Sequence, residues 1–363
     1  MPLSKTHVSS AGAAATITRK IQSVPNPLKL ASIWRVIADV DLQGIRRHAL
    51  APIDVWIVAE HGEDAAALQR LLSPDSPHPA LRVVSPADIV KPLVDVPTAT
   101  VLVTRSPVLD PALVGARNTV RAAGGLVMTV VVGATGPSAS ERQIDEDARV
   151  AIAAWDAGAL APIAATLFAL YPDDRRLALA RQLPPLRGVL FDTIIRETAQ
   201  ANASFALTTG LAEVVPVLTA PLNLGDIAIL TKNQMLLGYR IVLAAGRSGQ
   251  PRELLGEIAG VLGSGLLFRQ AARQLVGLIP VAGIVPKVAI AYSGTWAIGR
   301  ALTAWVTEGR AVTNAAVRQM TIEGLDRGRA FADVLVEDAR ARGLRAGRRW
   351  DRFRHYLPGR RRA

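Results

Sequence analysis

The run Ile53-Asp54-Val55-Trp56-Ile57-Val58 has the composition of a buried strand, and a helical pattern starts a few residues later. A strand, a turn and a helix in that order can cradle a phosphate. The turn must then supply free backbone amides, a lysine for the phosphate oxygens and a hydroxyl for magnesium. Here the turn reads Ala59-Glu60-His61-Gly62-Glu63-Asp64, with one glycine, no lysine and no hydroxyl. Glu63 and Asp64 fall in the first helical turn, where phosphate would sit. Their carboxylates satisfy the positive helix end themselves and repel a polyphosphate.

The other nucleotide-reading pieces are also missing. After Leu126–Val132 the residues are Gly133-Ala134-Thr135-Gly136, not Asn-Lys-x-Asp. No Asp-x-x-Gly follows Thr100–Thr104. Leu230-Thr231-Lys232-Asn233-Gln234 looks like a base-reading loop, but Gln234 stands where guanine needs a carboxylate to accept two donors at once. The five histidines do not cluster, no HExxH occurs, and Ser293-Gly294-Thr295 has no base near it in sequence. With no cysteine, thiolate metal sites and cysteine nucleophiles are excluded. The expectation is a protein without catalytic residues, cofactor or metal.

Two further groups of residues invite a binding role. In helical register, Asp226, Asn233 and Arg240 recur every seven residues on one side, with Lys232 beside them. They could face a partner, or form a satisfied network that specifies a core. Lys287 lies in an apolar stretch, where an unpaired charge is costly. It could meet a lipid phosphate or pair with Asp226 or Glu213. Gly283, Gly294 and Gly299 are expected to permit close helix approach.

The second group is at the C-terminal end. The net charge is +12, and ten arginines against one acid, Asp351, lie between Ala339 and Ala363. Arg348, Arg349, Arg352 and Arg354 alternate with Trp350 and Phe353. Such a segment can lie on an anionic membrane with its rings in the interface. It could also hold nucleic acid through phosphates, or be a solvated tail. Of the two ligands the membrane surface is preferred.

These groups need elements to position them. Residues 1–26 read as a Ser/Ala/Thr-rich leader without the apolar core of a signal peptide. Leu28–Leu50 reads as one helix, with Leu30, Ile33, Trp34 and Ile37 at helical spacing. Strands are expected at Ile53–Val58, Thr100–Thr104 and Leu126–Val132, with a short or edge strand at Leu81–Val84. Helices at Asp64–Leu72 and Pro111–Ala123 separate them. This alternation predicts a parallel sheet covered on both faces. From Glu141 the sequence reads as helical, with a break near Asp156–Gly158.

Beyond Pro172 about six helices are expected, near Asp173–Leu183, Leu186–Leu211, Gly225–Gly246, Pro251–Ala272, Pro286–Glu308 and Thr313–Arg342. The fold class is therefore α/β plus all-α. A three-layer domain over 27–172, either a degenerate Rossmann- or GTPase-like domain or an unrelated small α/β domain, precedes a helical domain over 173–342 and a basic tail over 343–363. Leu275–Ile298 and Phe205–Gly225 approach the length of a membrane span but are broken by Lys287 and Glu213.

Several stretches of the helical half resemble the YcjF-like domain of unknown function 697. They are Arg181-Gln182-Leu183-Pro184, the region of Asn202, Gly225–Gln234, Ile279-Pro280 with Gly283, and Lys287–Gly299. Together they cover about a third of the chain. The resemblance implies association with Era-like or dynamin-like GTPases and with membranes, and it brings no catalytic residue. The reading is a non-enzymatic regulatory or scaffold protein of bacterial type, on the cytoplasmic side of the inner membrane, with a GTPase or a second copy of itself as partner. The alternatives are a polytopic membrane protein with inserted helical hairpins and a nucleic-acid binder acting through the tail.

Overall fold

The structure is a computed structural model, and it describes residues 37–90, 92–133, 148–171, 173–212, 224–263, 284–309 and 312–354. Five strands form one parallel sheet: β1 (Val55–Ala59), β2 (Leu81–Val83), β3 (Ala99–Thr104), β4 (Val127–Val132) and β5 (Ala148–Ile152). Their order is β2-β1-β3-β4-β5, a doubly wound arrangement in which the chain reverses direction across the sheet between β1 and β3. The expected short strand at Leu81–Val84 is the three-residue edge strand β2.

Alternate residues of each strand serve opposite faces. Val55, Ile57, Val101, Val103, Met128 and Val130 face a core shared with α2 (Gly62–Leu72) and α4 (Leu160–Leu170). Trp56, Val58, Leu102 and Val127 face a smaller core closed by α3 (Pro111–Ala122). Because both faces are covered, the strands carry nearly continuous apolar runs and not a polar alternation.

Two expectations are corrected here. The segment Leu28–Leu50 is not one helix. The chain turns at 38–40, and α1 (Leu42–Leu50) begins afresh after it. Asp41 starts it, since its Oδ1 accepts from Gly44 N at 2.7 Å, a side-chain N-cap that favours initiation at that point. The helical reading from Glu141 also fails at Ala148–Ile152, which pairs with β4 from Met128↔Ala148 to Val132↔Ile152. That strand is an edge strand and only partly buried, so its sequence ARVAI lacks the β-branched run that marks the central strands. The turn at Asp156–Gly158 is present as a 3-10 turn, capped by Asp156 Oδ1.

The remainder is helical: α5 (Arg176–Gln182), α6 (Arg187–Ala212), α7 (Leu224–Ala244), α8 (Pro251–Gly263), α9 (Ile284–Glu308) and α10 (Asn314–Arg354). The expected end of the last helix at Arg342 is also corrected, because α10 continues to Arg354. No proline lies between Asn314 and Pro358 to interrupt the helix. The expected leader, the Gly133–Ser140 loop beyond Gly133, and the end of the segment expected as Pro251–Ala272 lie outside the described residues.

Helices α9 and α10 meet at two glycines. A Cβ on Gly324 would lie 2.9 Å from Ser293 Cα, and one on Gly328 would lie 2.8 Å from Ala289 O. Gly299 likewise admits Ile195 of α6, whose Cγ1 would be 2.6 Å from an added Cβ, as expected. Gly294 has open space within 4 Å, so the close approach expected there is absent; Gly283 lies outside the described residues. One apolar core runs without interruption from the α2/α4 face of the sheet through Leu179, Phe191 and Tyr239 to Trp296 and Leu302.

Candidate functional site

In open parallel sheets, ligands bind beyond the carboxyl ends of the strands where the winding direction changes. That place lies between the ends of β1 and β3. Leaving β1, the chain passes Glu60 and His61 into α2, whose first turn carries Glu63 and Asp64. Leaving β3, it passes directly to Arg105. Arg105 reaches back across the gap: Nε donates to Asp64 Oδ2 at 2.9 Å, Nη2 donates to Asp64 Oδ1 at 3.1 Å, and Nη2 also meets Glu63 Oε1. Trp155, just past β5, donates from Nε1 to Asp64 Oδ1 at 2.8 Å. Thr104 Oγ1 donates to Glu60 Oε1 at 2.8 Å.

Asp64 is buried at 2 % exposure, while the Arg105 side chain is 47 % exposed. Burial pushes the Asp64 carboxyl up, but the hydrogen bonds from Arg105 and Trp155 and the charges of Arg105 and His61 outweigh it. The group is held below its ordinary value. The same pairing, with Asp64 first and Glu63 second, raises Arg105. The crevice is thus filled by its own ions, and its helix end faces carboxylates. Among the described residues no group of His, Asp and Glu is arranged to hold a metal.

The polar residues singled out on α7 do not gather into one pocket. Lys232 Nζ binds Asp39 at 2.6 and 2.8 Å, ahead of α1. Asn233 Nδ2 donates to Asn202 Oδ1 at 2.7 Å, and Asn202 Nδ2 donates to Thr295 Oγ1 at 2.8 Å, a ladder across α7, α6 and α9. Arg240 Nε binds Asp174 Oδ1 at 2.6 Å, ahead of α5. Each residue ties α7 to a different neighbour. Asp226 lies on α7 and Lys287 on α9, with their side chains outside the described residues; Glu213 is also outside.

Arg348, Arg349, Trp350, Arg352, Phe353 and Arg354 occupy the last turns of α10. Among the described residues no helix is long and apolar enough to cross a membrane. Sequence reasoning missed Arg105 and Trp155. The available signal was the pair Glu63-Asp64 itself, because a carboxylate at the edge of a buried sheet requires a cation from the next strand end.

No protein-family model, no curated protein and no solved structure matches the chain.

Proposed function

We propose that this protein is a non-catalytic scaffold. Its GTPase-like sheet has exchanged a phosphate site for an internal ion cluster, and it attaches reversibly to an anionic membrane surface. The observation that carries the attachment is the continuity of α10, a single 41-residue helix. Its first half packs on α9 through Gly324 and Gly328, and its last fifteen residues bear seven arginines, Trp350 and Phe353 against one acid. A basic, aromatic-bearing helix carried on a folded body suits an anionic interface. Each basic residue near such a surface contributes about 1 kcal/mol before screening, and buried rings add about 1–3 kcal/mol each. The likeness of Gly225–Gln234 and Lys287–Gly299 to the YcjF-like domain supports a membrane setting and a GTPase as partner.

Co-sedimentation of the full chain with phosphatidylglycerol and phosphatidylcholine vesicles tests this reading. Binding is expected to the anionic vesicles only, to fall with salt, and to drop several-fold in Arg348→Gln/Arg349→Gln/Arg352→Gln. Equal binding of the triple variant would reject the tail as the attachment site. Retention on polynucleotide with no vesicle binding would replace the membrane by nucleic acid.

A further inference from the structure

The crossover from β2 to β3 passes over β1 without an α-helix. The chain leaves β2 at Val84, whose N donates to Ile57 O at 3.0 Å. It returns at Thr98, whose N donates to Asp54 O at 2.7 Å. A crossover between parallel strands is ordinarily helical. This one holds a single 3-10 turn, Pro86–Asp88, which packs against α3. Val84, Ile89 and Leu93 roof Trp56 and Val58 of β1, so that part of the sheet is covered by one layer of loop.

The outer side of that layer is apolar. Four of the nine large apolar side chains exposed among the described residues fall between Val83 and Val96. They are Val83, Val90, Val94 and Val96, and Val94 is 89 % exposed. Single apolar residues scattered over a surface are ordinary. Four gathered in one edge strand and the loop after it mark a contact surface.

The loop borders the edge of the sheet. Among the described strands β2 pairs with β1 alone, and its outer edge offers unpaired backbone groups to another strand. A charged side chain often protects such an edge. Arg82 stands on β2, but its guanidinium is engaged with Asp54, Nε donating to Oδ1 at 2.8 Å, and lies over the Trp56 ring.

The surface fits itself. Two copies of one edge related by a two-fold axis run antiparallel, an arrangement in which strands pair. The loop also carries both signs of charge, with Lys91 between Asp88 and Asp95. Contact with a second copy can set acid opposite lysine, whereas a partner of one sign would leave like charges together. An anionic membrane would meet the two acids.

We propose that the edge of β2 and the loop over 84–98 form a docking surface for a second copy of this chain, with Val83, Val90, Val94 and Val96 at its centre. The surface lies on the opposite face of the sheet from the core that holds α10, and it stands without the membrane reading.

Sedimentation equilibrium of the full chain from about 1 to 100 µM tests this. A species of twice the 38.5 kDa chain mass is expected. Val90→Asp/Val94→Asp should raise its dissociation constant about tenfold or more. The variant should melt with the monomeric parent, since both side chains are already exposed. Lys91→Glu and Asp88→Lys/Asp95→Lys should each dimerise less alone and recover when mixed, because the mixture restores opposite charges. The chain has no cysteine, so Val94→Cys reports the contact directly. Its reaction with a maleimide should slow as protein concentration rises, and that of Val334→Cys on α10 should not. A parent that stays monomeric throughout overturns the proposal, as does a dimer that the two aspartates leave unchanged. A dimer lost instead in Arg348→Gln/Arg349→Gln/Arg352→Gln overturns it too, by moving the association to α10.

Discussion

Arg105 and Asp64 meet fork to fork across the winding reversal of the sheet, at 2.9 and 3.1 Å, one at the end of β3 and the other in the first turn of α2. Arg105→Ala leaves a buried carboxylate without its cation. The expected loss is about 1–3 kcal/mol in urea unfolding, towards the lower end because the Arg105 side chain is 47 % exposed and water can replace part of it. Arg105→Lys should recover only part, because an ammonium cannot match the carboxylate fork.

The same pair gives stability a pH dependence of definite sign. A carboxyl held below its ordinary value contributes stability that is complete above the unfolded value of about 4 and is lost as pH falls through the lower folded value. Asp64→Asn should therefore lower stability at neutral pH and flatten the acid limb below about pH 4. An acid limb with the parent's slope would show that Asp64 does not supply it.

Calorimetry with GTP and magnesium should register no binding in the micromolar range. Glu63 and Asp64 already neutralise the start of α2, and Arg105 is committed to them. Measurable affinity there would require this cluster to open, and Arg105→Ala would then alter it.

Gly328→Ala should destabilise by about 1–3 kcal/mol, since its methyl would press on backbone atoms of Ala289 that cannot swing away. Gly256→Ala on α8 is the matched control. A Cβ there meets nothing within 4 Å, so a gain of about 0.4–1 kcal/mol is expected. Equal melting temperatures for the two variants would mean that α9 and α10 are not in backbone contact.

The elements that were legible in the sequence are those whose environment is simple. The central strands β1, β3 and β4 are buried on both faces and are written in Val, Ile, Leu and Thr. The six helices after Pro172 are set off by proline and glycine. β5 escaped because an edge strand needs only alternate burial, which Val150 and Ile152 provide while the two alanines and the arginine of ARVAI stay partly exposed. The heptad Asp226, Asn233, Arg240 has a real period, but period fixes a helix face and not the identity of its neighbours. Asn233 goes to α6, Arg240 to the turn before α5 and Lys232 to the turn before α1. Arg105 and Trp155 are single residues in ordinary contexts, and their importance lies in a charge 41 and 91 positions away at Asp64.

The core that passes unbroken from the sheet into α6, α7 and α9 also sets the order of events during synthesis. Ile163, Ala164, Leu167 and Phe168 of α4 belong to that core, yet Phe191, Ile194 and Ile195, which join them there, leave the ribosome later. At about 5–20 residues per second the nascent sheet waits seconds with an apolar flank uncovered. A chain stopped near residue 171 is therefore expected to aggregate and not to give a smaller folded domain, which the solubility of that truncated product checks.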